Sequence, residues 1–250
     1  MRNVKLVVAY DGTRYLGWQK TKEGASIEQE LIAAIERILQ HPIQLNAAGR
    51  TDAGVHAIGQ TVNFLTDRTD LEQEKLFRGI NALLPSDIAL YSLECVDLKF
   101  HATVDCIGKE YTYRISYGQI YNPLNRFFVW YYPYLLNIEE MHRAGHLLIG
   151  EHDFSAFCNV KKNETYDNYV RRIDSITMTS HVFNEITISI RGHHFLYKMV
   201  RNLVGLLVYI GQGKLGQKDV VKILESRSRV DGAMTAPALG LCLKECFYAL

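Results

Sequence analysis

Gly49-Arg50-Thr51-Asp52-Ala53-Gly54-Val55-His56-Ala57 sets one carboxylate, Asp52, between a guanidinium at Arg50 and an imidazole at His56. Gly49 and Gly54 bracket the acid, and glycine takes backbone angles that other residues resist. Such a loop holds an acid still and lets a ligand approach its backbone closely. Upstream, Ile43, Leu45, Ala47 and Ala48 read as a strand; downstream, Gln60 to Leu65 reads as another. The acid is therefore expected at a strand end, where a scaffold commonly carries its chemistry. The plainer alternative is an Asx-type turn, in which the carboxylate only caps local amides. Asp52 and His56 are four apart, yet Gly54 between them speaks against one helix face, and no metal site is expected.

Working outward, Val4 to Tyr10 reads as a first strand and Asp11 to Ala25 as a polar and aromatic loop. Ser26 with Gln29 forms a capping box that opens a helix with Ile27, Leu31, Ala34, Ile35 and Leu39 on one face. Asp70 with Gln73 repeats the signal for a helix through Leu76, Phe77 and Ile80, and Ile88 to Val96 reads as a strand. A similar order then recurs. Ile107, Lys109, Tyr111, Tyr113, Ile115 and Tyr117 alternate on one strand, and Asn137 with Glu140 caps a helix through Met141, Ala144, Leu147 and Leu148. Val170 to Met178 and Phe183 to Ile190 suggest a hairpin. Helices are expected from about Phe195 to Ile210 and over Gln217 to Ser226, and a closing strand near Leu241 to Tyr248. Strand–helix–strands–helix–strand, twice, predicts an α+β protein of two similar halves with mixed or antiparallel sheets and helices. The expected division is 1–105, carrying the Asp52 loop, and 106–250, carrying the Tyr111 strand and the Arg201 helix. A cleft between two such halves is a natural place for a ligand.

Composition bounds the partners. The 250 residues are 48% hydrophobic and 22% charged, as in an ordinary soluble globular protein. A formal charge of +1 gives no global pull on nucleic acid, so an anionic partner must be met by local clusters of the 28 Lys and Arg. Five scattered cysteines without a C-x-x-C motif read as reduced thiols in a cytoplasmic protein. The apolar run Leu6 to Ala9 is too short for a signal peptide, and no run of about 18 apolar residues reads as a membrane span.

Three further groups stand out. On the expected long helix, Phe195, Met199, Leu203, Leu206 and Ile210 make a core stripe, while His194, Lys198, Arg201 and Gly205 make a second one. A basic stripe is usually a solvated face, but a mid-helix glycine costs roughly 1 kcal/mol relative to alanine. Close approach of another backbone is the benefit expected in return, so that this face is packed and Arg201 is paired to an acid. Tyr111, on an alternating strand, reads first as a core tyrosine. The loop Tyr10-Asp11-Gly12-Thr13-Arg14-Tyr15-Leu16-Gly17-Trp18-Gln19-Lys20 interleaves bases with aromatics, a mixture suited to a nucleic-acid backbone and stacked bases. Lys161, Lys162, Arg171 and Arg172 offer a second basic patch, and Asn159 to Asn168 reads as a mobile loop.

Together these stretches resemble the TruA family of tRNA pseudouridine synthases, over nearly the whole chain and in order. The resemblance rests on Tyr10-Asp11-Gly12, Tyr15, Gly17-Trp18-Gln19, the Asp52 stretch, Asn81-Ala82-Leu83-Leu84-Pro85 and Phe100-His101-Ala102. It continues through Lys109-Glu110-Tyr111-Thr112-Tyr113, Met199-Val200-Arg201-Asn202-Leu203-Val204-Gly205, Ala236-Pro237 and Gly240-Leu241. Glu28, where the family often carries Gln, Lys20-Thr21-Lys22, Tyr197 and Lys198 depart from the pattern. The resemblance implies the pseudouridine synthase fold and isomerisation of uridine in the anticodon arm of tRNA, at positions 38, 39 and 40. It implies a homodimer, and because the reaction has no net redox change, no cofactor is required. Asp52 is then the nucleophile or base that starts glycosidic cleavage, Arg201 pairs with it, and Tyr111 packs against the target base. Arg50 helps hold the extruded nucleotide, Leu241 forms an apolar floor under the uracil, and Arg14, Tyr15, Gln19 and Lys20 contact the substrate. The rival readings are a pseudouridine synthase for another RNA, a non-catalytic tRNA-binding or folding protein, and a small-molecule enzyme built on an Asp–Arg pair.

Overall fold

Alternation decides how the chain begins. In β1 (Arg2–Tyr10) the side chains of Val4, Leu6, Val8 and Tyr10 are buried, while Lys5 and Val7 on the other face are less so. The computed structural model describes residues 1–159 and 166–249. After β1 come α1 (Ile27–Leu39), β2 (Asn46–Ala47), β3 (His56–Thr66), α2 (Gln73–Leu83) and β4 (Ile88–Val96). Then follow β5 (Cys106–Tyr117), β6 (Trp130–Tyr132), α3 (Ile138–His146), β7 (Gly150–Asp153), β8 (Val170–His181) and β9 (Glu185–Gly192). The helices α4 (Met199–Gly211) and α5 (Gln217–Ser226) precede the last strand, β10 (Leu241–Tyr248). This is an α+β protein with a mixed sheet system. Its contacts divide into a first unit, Met1–Ile107 with Cys242–Leu250, and a second, Gly108–Leu241. The expected division at 105/106 grouped β10 with the second half, whereas its residues from Cys242 onward group with the first.

In the first unit β1 lies between β4 and β3, antiparallel to both, and β10 adds to β3 in parallel at Cys242↔His56 and Leu243↔Ala57. Ser26 caps α1, its hydroxyl accepting from the Gln29 N–H at 3.4 Å, and the buried residues are the expected Ile27, Leu31, Ala34, Ile35 and Leu39. The capping signal at Asp70 is not used. Arg68 takes both oxygens of that carboxylate, at 2.8 and 2.9 Å, and α2 starts after Glu72 without a side-chain cap. A two-pronged charged pair outcompetes a single bond to an amide. The strand expected from Ile43 to Ala48 shrinks to Asn46–Ala47, and β3 starts at His56, so the Asp52 loop runs straight into it. A buried amide pair closes this unit: Asn63 Nδ2 donates to Asn3 Oδ1 at 2.9 Å, and its own Oδ1 accepts from the Ala102 N–H at 2.9 Å. Buried polar groups persist only when paired in this way.

In the second unit β9 lies between β5 and β8, antiparallel to both, β7 extends β8, and β6 joins β5 in parallel. The hairpin turn holds Phe183 and Asn184 at φ 60° and 54°, the paired left-handed angles of a primed turn, so Phe183 belongs to the turn and not to the strand. Tyr111, Tyr113 and Ile115 are buried on one face of β5, as the alternation predicts, but Ile107 at its start is 52% exposed. Helix α4 is buried on almost every side, which its mean apolar character all round requires. It begins at Met199, four residues later than expected, because Lys198 sits at φ 59° and the Met199 N–H closes a turn on Leu196 O at 3.0 Å. His194, Phe195 and Lys198 therefore lie off the helix, and the second stripe reduces to Arg201 and Gly205. None of the five cysteines is in a disulfide, and burial pushes the Cys242 thiol up to about 12. Among the described residues no helix is long and apolar enough to cross a membrane.

Candidate functional site

The Asp52 loop is clasped by the loop that follows β1. Trp18 N–H donates to Thr51 O at 3.0 Å and Gly54 N–H to Tyr15 O at 3.3 Å, so the two backbones hold each other on either side of the acid. The contact requires glycine. Gly17 sits at φ +98°, and a Cβ there would lie 2.6 Å from Thr51 O and 3.0 Å from the Asp52 carbonyl carbon. A Cβ on Gly12 would lie 2.0 Å from Val55 O. Within the loop the Val55 N–H turns back to Asp52 O at 3.1 Å, and Gly54 takes φ +76°. Below it, Tyr10 Oη and Thr51 Oγ1 are 2.8 Å apart, and Gln60 Nε2 donates to Gly49 O at 2.6 Å. His56 Nδ1 accepts from the Gly12 N–H at 3.1 Å and lies 3.2 Å from Asp11 Oδ1, which fastens the loop's far end to the same neighbour. Asp52 itself is half-buried, with Thr51 buried before it and Ala53 exposed after it.

The residues expected to meet the substrate divide by environment. Gln19, Lys20 and Arg50 are exposed, and Lys20 N–H donates to Glu28 Oε2 at 2.7 Å, a use for the acid that departs from the family's usual Gln. Arg14 is exposed but held, its Nε donating to Asp87 Oδ2 at 2.8 Å. Tyr15 differs from the reading of an aromatic platform. Its ring is 5% exposed, its hydroxyl donates to Asp87 Oδ1 at 2.7 Å, and burial raises the phenol well above its ordinary value. Tyr10 and Trp18 are as deeply buried, so all three rings build the core beneath the loop and offer no open face. Lys161 and Lys162 lie outside the described residues.

In the second unit Tyr111 is buried on β5, facing Ile190 of β9, and the Phe195 ring meets it edge-on with centroids 5.2 Å apart. Arg201, in the first turn of α4, donates from Nε to Ala236 O at 2.7 Å, while the Ala236 N–H donates to Arg201 O at 3.1 Å. Main chain and side chain of Arg201 thus grip one residue, Ala236, by both its N–H and its C=O. A Cβ on Gly205 would lie 1.8 Å from Met234 O, so the close backbone approach expected at that glycine is met by the strap Ala233–Pro237. Tyr113 Oη donates to Pro237 O at 2.7 Å, and its ring would be 2.6 Å from a Cβ on Gly240. Leu241 follows, 6% exposed, at the start of β10. The second unit accordingly brings Arg201, Tyr113 and the run up to Leu241 into one packed corner.

Two groups escaped the sequence reading. Asp87 holds both Arg14 and Tyr15 from 72 to 73 residues away. Asn202, Arg229 and Thr235 form a polar cluster behind the strap, and burial pulls the Arg229 guanidinium below its ordinary value. The only linear hint of the second group is an asparagine inside an apolar helix, which needs a partner wherever it is buried.

Residues 6–105 and 144–249 match the model of a family described as tRNA pseudouridine synthase. The chain is 48% identical over 248 residues to tRNA pseudouridine synthase A 2 of Protochlamydia amoebophila, covering 99% of this chain and 95% of that protein. It is 40% identical over 250 residues to tRNA pseudouridine synthase A of a Thermoanaerobacter species, covering 99% and 100%. Among solved structures, a Cbf5-Nop10-Gar1 complex is similar over 82% of this chain and 45% of that chain, at 15% identity and a TM-score of 0.35. A likeness at that score decides nothing about this chain.

Proposed function

This chain belongs to the tRNA pseudouridine synthase family, and on that premise we propose how its residues carry out the family's reaction. The protein is an isomerase that converts uridine in tRNA to pseudouridine. The N1–C1′ bond breaks, the uracil turns, C5 bonds to C1′, and the proton lost from C5 is balanced by one gained at N1. No electrons are transferred. The observation that carries the site assignment is the clasp on the Asp52 loop: a half-buried acid whose main chain is held by paired backbone bonds and by two glycines that leave no room for a methyl group.

Asp52 is the carboxylate that starts glycosidic cleavage, and its fixed position limits the reorganisation left to the transition state. Arg201 orients it; the strap's hold on Nε sets the plane of that guanidinium. Tyr111, braced by Phe195, lies against the target base and assists removal of the C5 proton. Leu241 supports the uracil from below. Arg50, with Arg14, Gln19 and Lys20 at the neighbouring loop, meets the phosphates and the extruded nucleotide, so binding weakens with salt. The substrate is the anticodon arm at positions 38, 39 and 40, and the working form is a cytoplasmic homodimer.

Tritium release from a tRNA transcript carrying 5-tritiated uridine tests the reaction, and mapping of the modified nucleotides tests the positions. Release by the wild type and none by Asp52→Ala, with tRNA still bound, supports the assignment. Binding without release by the wild type would favour a tRNA-binding or folding role, and release only from another RNA would favour a different substrate.

A further inference from the structure

The corner around Arg201 contains more hydrogen bonding than is needed to bury a helix. Asn202, 1% exposed, donates from Nδ2 to Phe157 O at 2.6 Å and to Asn159 Oδ1 at 2.8 Å. Its Oδ1 accepts from Thr235 Oγ1 at 2.6 Å and from Arg229 Nη2 at 3.1 Å. Arg229 Nη2 also reaches Thr235 Oγ1 at 2.9 Å, and Nη1 reaches Ala233 O at 2.8 Å. The strap is thus held at four of its five residues. Ala233 is held by Arg229, Thr235 by Asn202 and Arg229, Ala236 by Arg201, and Pro237 by Tyr113.

The acceptors around Arg229 in these bonds are carbonyl, amide and hydroxyl oxygens, and burial disfavours its charged form. A guanidinium placed at such a cost offers what an ammonium does not: a rigid fork that fixes several oxygens in one plane. Asn202 is the chain neighbour of Arg201, so its side chain and that of Arg201 grip the same strap from adjacent positions on one helical turn. A shift of the strap by a few tenths of an ångström would carry Ala236 O, and with it the Arg201 guanidinium.

We propose that Thr235, Asn202 and Arg229 are positioning residues for the isomerisation: they fix the strap Ala233–Pro237 as a template that sets the orientation of Arg201. The proposal rests on the assignment of Arg201 to the reaction. Thr235 acts as a proton-ordering hinge, donating to Asn202 and accepting from Arg229, so its hydroxyl is the smallest group whose loss loosens the template. The residues act through Arg201 and do not touch substrate. Their loss therefore lowers the rate of the chemical step and leaves tRNA affinity in place.

Single-turnover tritium release and tRNA affinity, measured for Thr235→Val, Thr235→Ser, Arg201→Met and the double variant Arg201→Met/Thr235→Val, test this. Thr235→Val keeps shape and loses the hydroxyl, and is expected to slow release by roughly 10- to 100-fold at unchanged affinity. Thr235→Ser is expected to restore most of the rate. In the Arg201→Met background Thr235→Val should cost nothing further, because a residue acting through Arg201 has no effect without it. Wild-type release by Thr235→Val, or multiplicative losses in the double variant, overturns the proposal. A wild-type rate from Arg201→Met alone is a different failure, since it removes Arg201 from the reaction. If Thr235→Val does not fold, Arg229→Lys, which keeps the charge and loses the fork, takes its place with the same expected outcomes.

Discussion

The Asp52 loop and the Arg201 corner each seat one charged residue, and they do it with different proportions of main chain and side chain. Around Asp52 the closest restraints are mostly backbone on backbone, Trp18 N–H to Thr51 O and Gly54 N–H to Tyr15 O, with glycines where another residue would collide. The side chains of Tyr10, Gln60 and His56 brace the loop from its ends. Around Arg201 the restraints are mostly side chains, from its neighbour Asn202 and from Arg229, Thr235 and Tyr113 farther away in the sequence, closing on one strap. A backbone clasp tolerates almost no change of residue at its glycines and little sensitivity elsewhere. A side-chain clasp spreads its sensitivity over several positions, each of which contributes a part.

The comparison breaks most sharply on the acid itself. Asp52→Ala should lower tritium release by at least on the order of 10²-fold and leave tRNA affinity near wild type. A smaller loss would mean that the first region is scaffolding only. Next come the two glycines. Gly205→Ala places a methyl 1.8 Å from Met234 O, so helix and strap must part. Overpacking of this kind costs about 1–3 kcal/mol, which lowers the thermal midpoint by roughly 2–4 °C per kcal/mol in a chain of this size. Release should slow as well, because the strap carries Ala236 O away with it. Gly17→Ala adds left-handed strain of about 1–2 kcal/mol to a 2.6 Å collision with Thr51 O. Here too the midpoint and the rate should fall together; an unchanged rate would show that the Asp52 loop does not depend on its clasp.

A contact remote from both regions sharpens the contrast at its lower end. Asp219 caps the first turn of α5, accepting from the Gly216 N–H at 2.9 Å, and that bond, helped by Lys222, holds its carboxyl below the ordinary 3.8. A lowered folded-state value means that folding favours the anion. The contribution is present above pH 3.8 and is lost as pH falls through the lowered value. Asp219→Ala should therefore lower the midpoint slightly at neutral pH, with the gap closing on acidification and no change in release at any pH. A gap that widens in acid would reverse the assigned direction.

The difference between the two regions also explains how much could be read in advance. Glycines that permit a backbone contact leave a linear mark, and so Gly49 to His56 could be picked out with its acid. Mid-helix Gly205 likewise announced a close backbone approach before Met234 was known to supply it. The start of α4 was missed because periodicity continues through His194 and Phe195, while the left-handed angle at Lys198 that ends it has no signature in a lysine. Tyr15 and Trp18 were read as rings for bases since composition cannot tell a loop's surface from a loop that covers a core. Asp87, Arg229 and Thr235 were invisible for a simpler reason. Asp87 meets its partners 72 and 73 residues away, and Arg229 and Thr235 meet Asn202 27 and 33 residues away, spans that no spacing rule connects.

The grouping of Cys242–Leu250 with the first unit has a consequence for how the protein is made. Strand β10 pairs with β3 at His56 and Ala57, the two residues that leave the Asp52 loop. A ribosome delivers β1, β3 and β4 early and β10 after every other strand, so for most of synthesis β3 lacks its partner at His56 and Ala57, where the chain leaves the Asp52 loop. Unpaired edges invite wrong partners. The last strand is thus the stitch that turns a nascent chain into an enzyme, and a transcript cut short before it yields a polypeptide with the acid present and its seat unfinished.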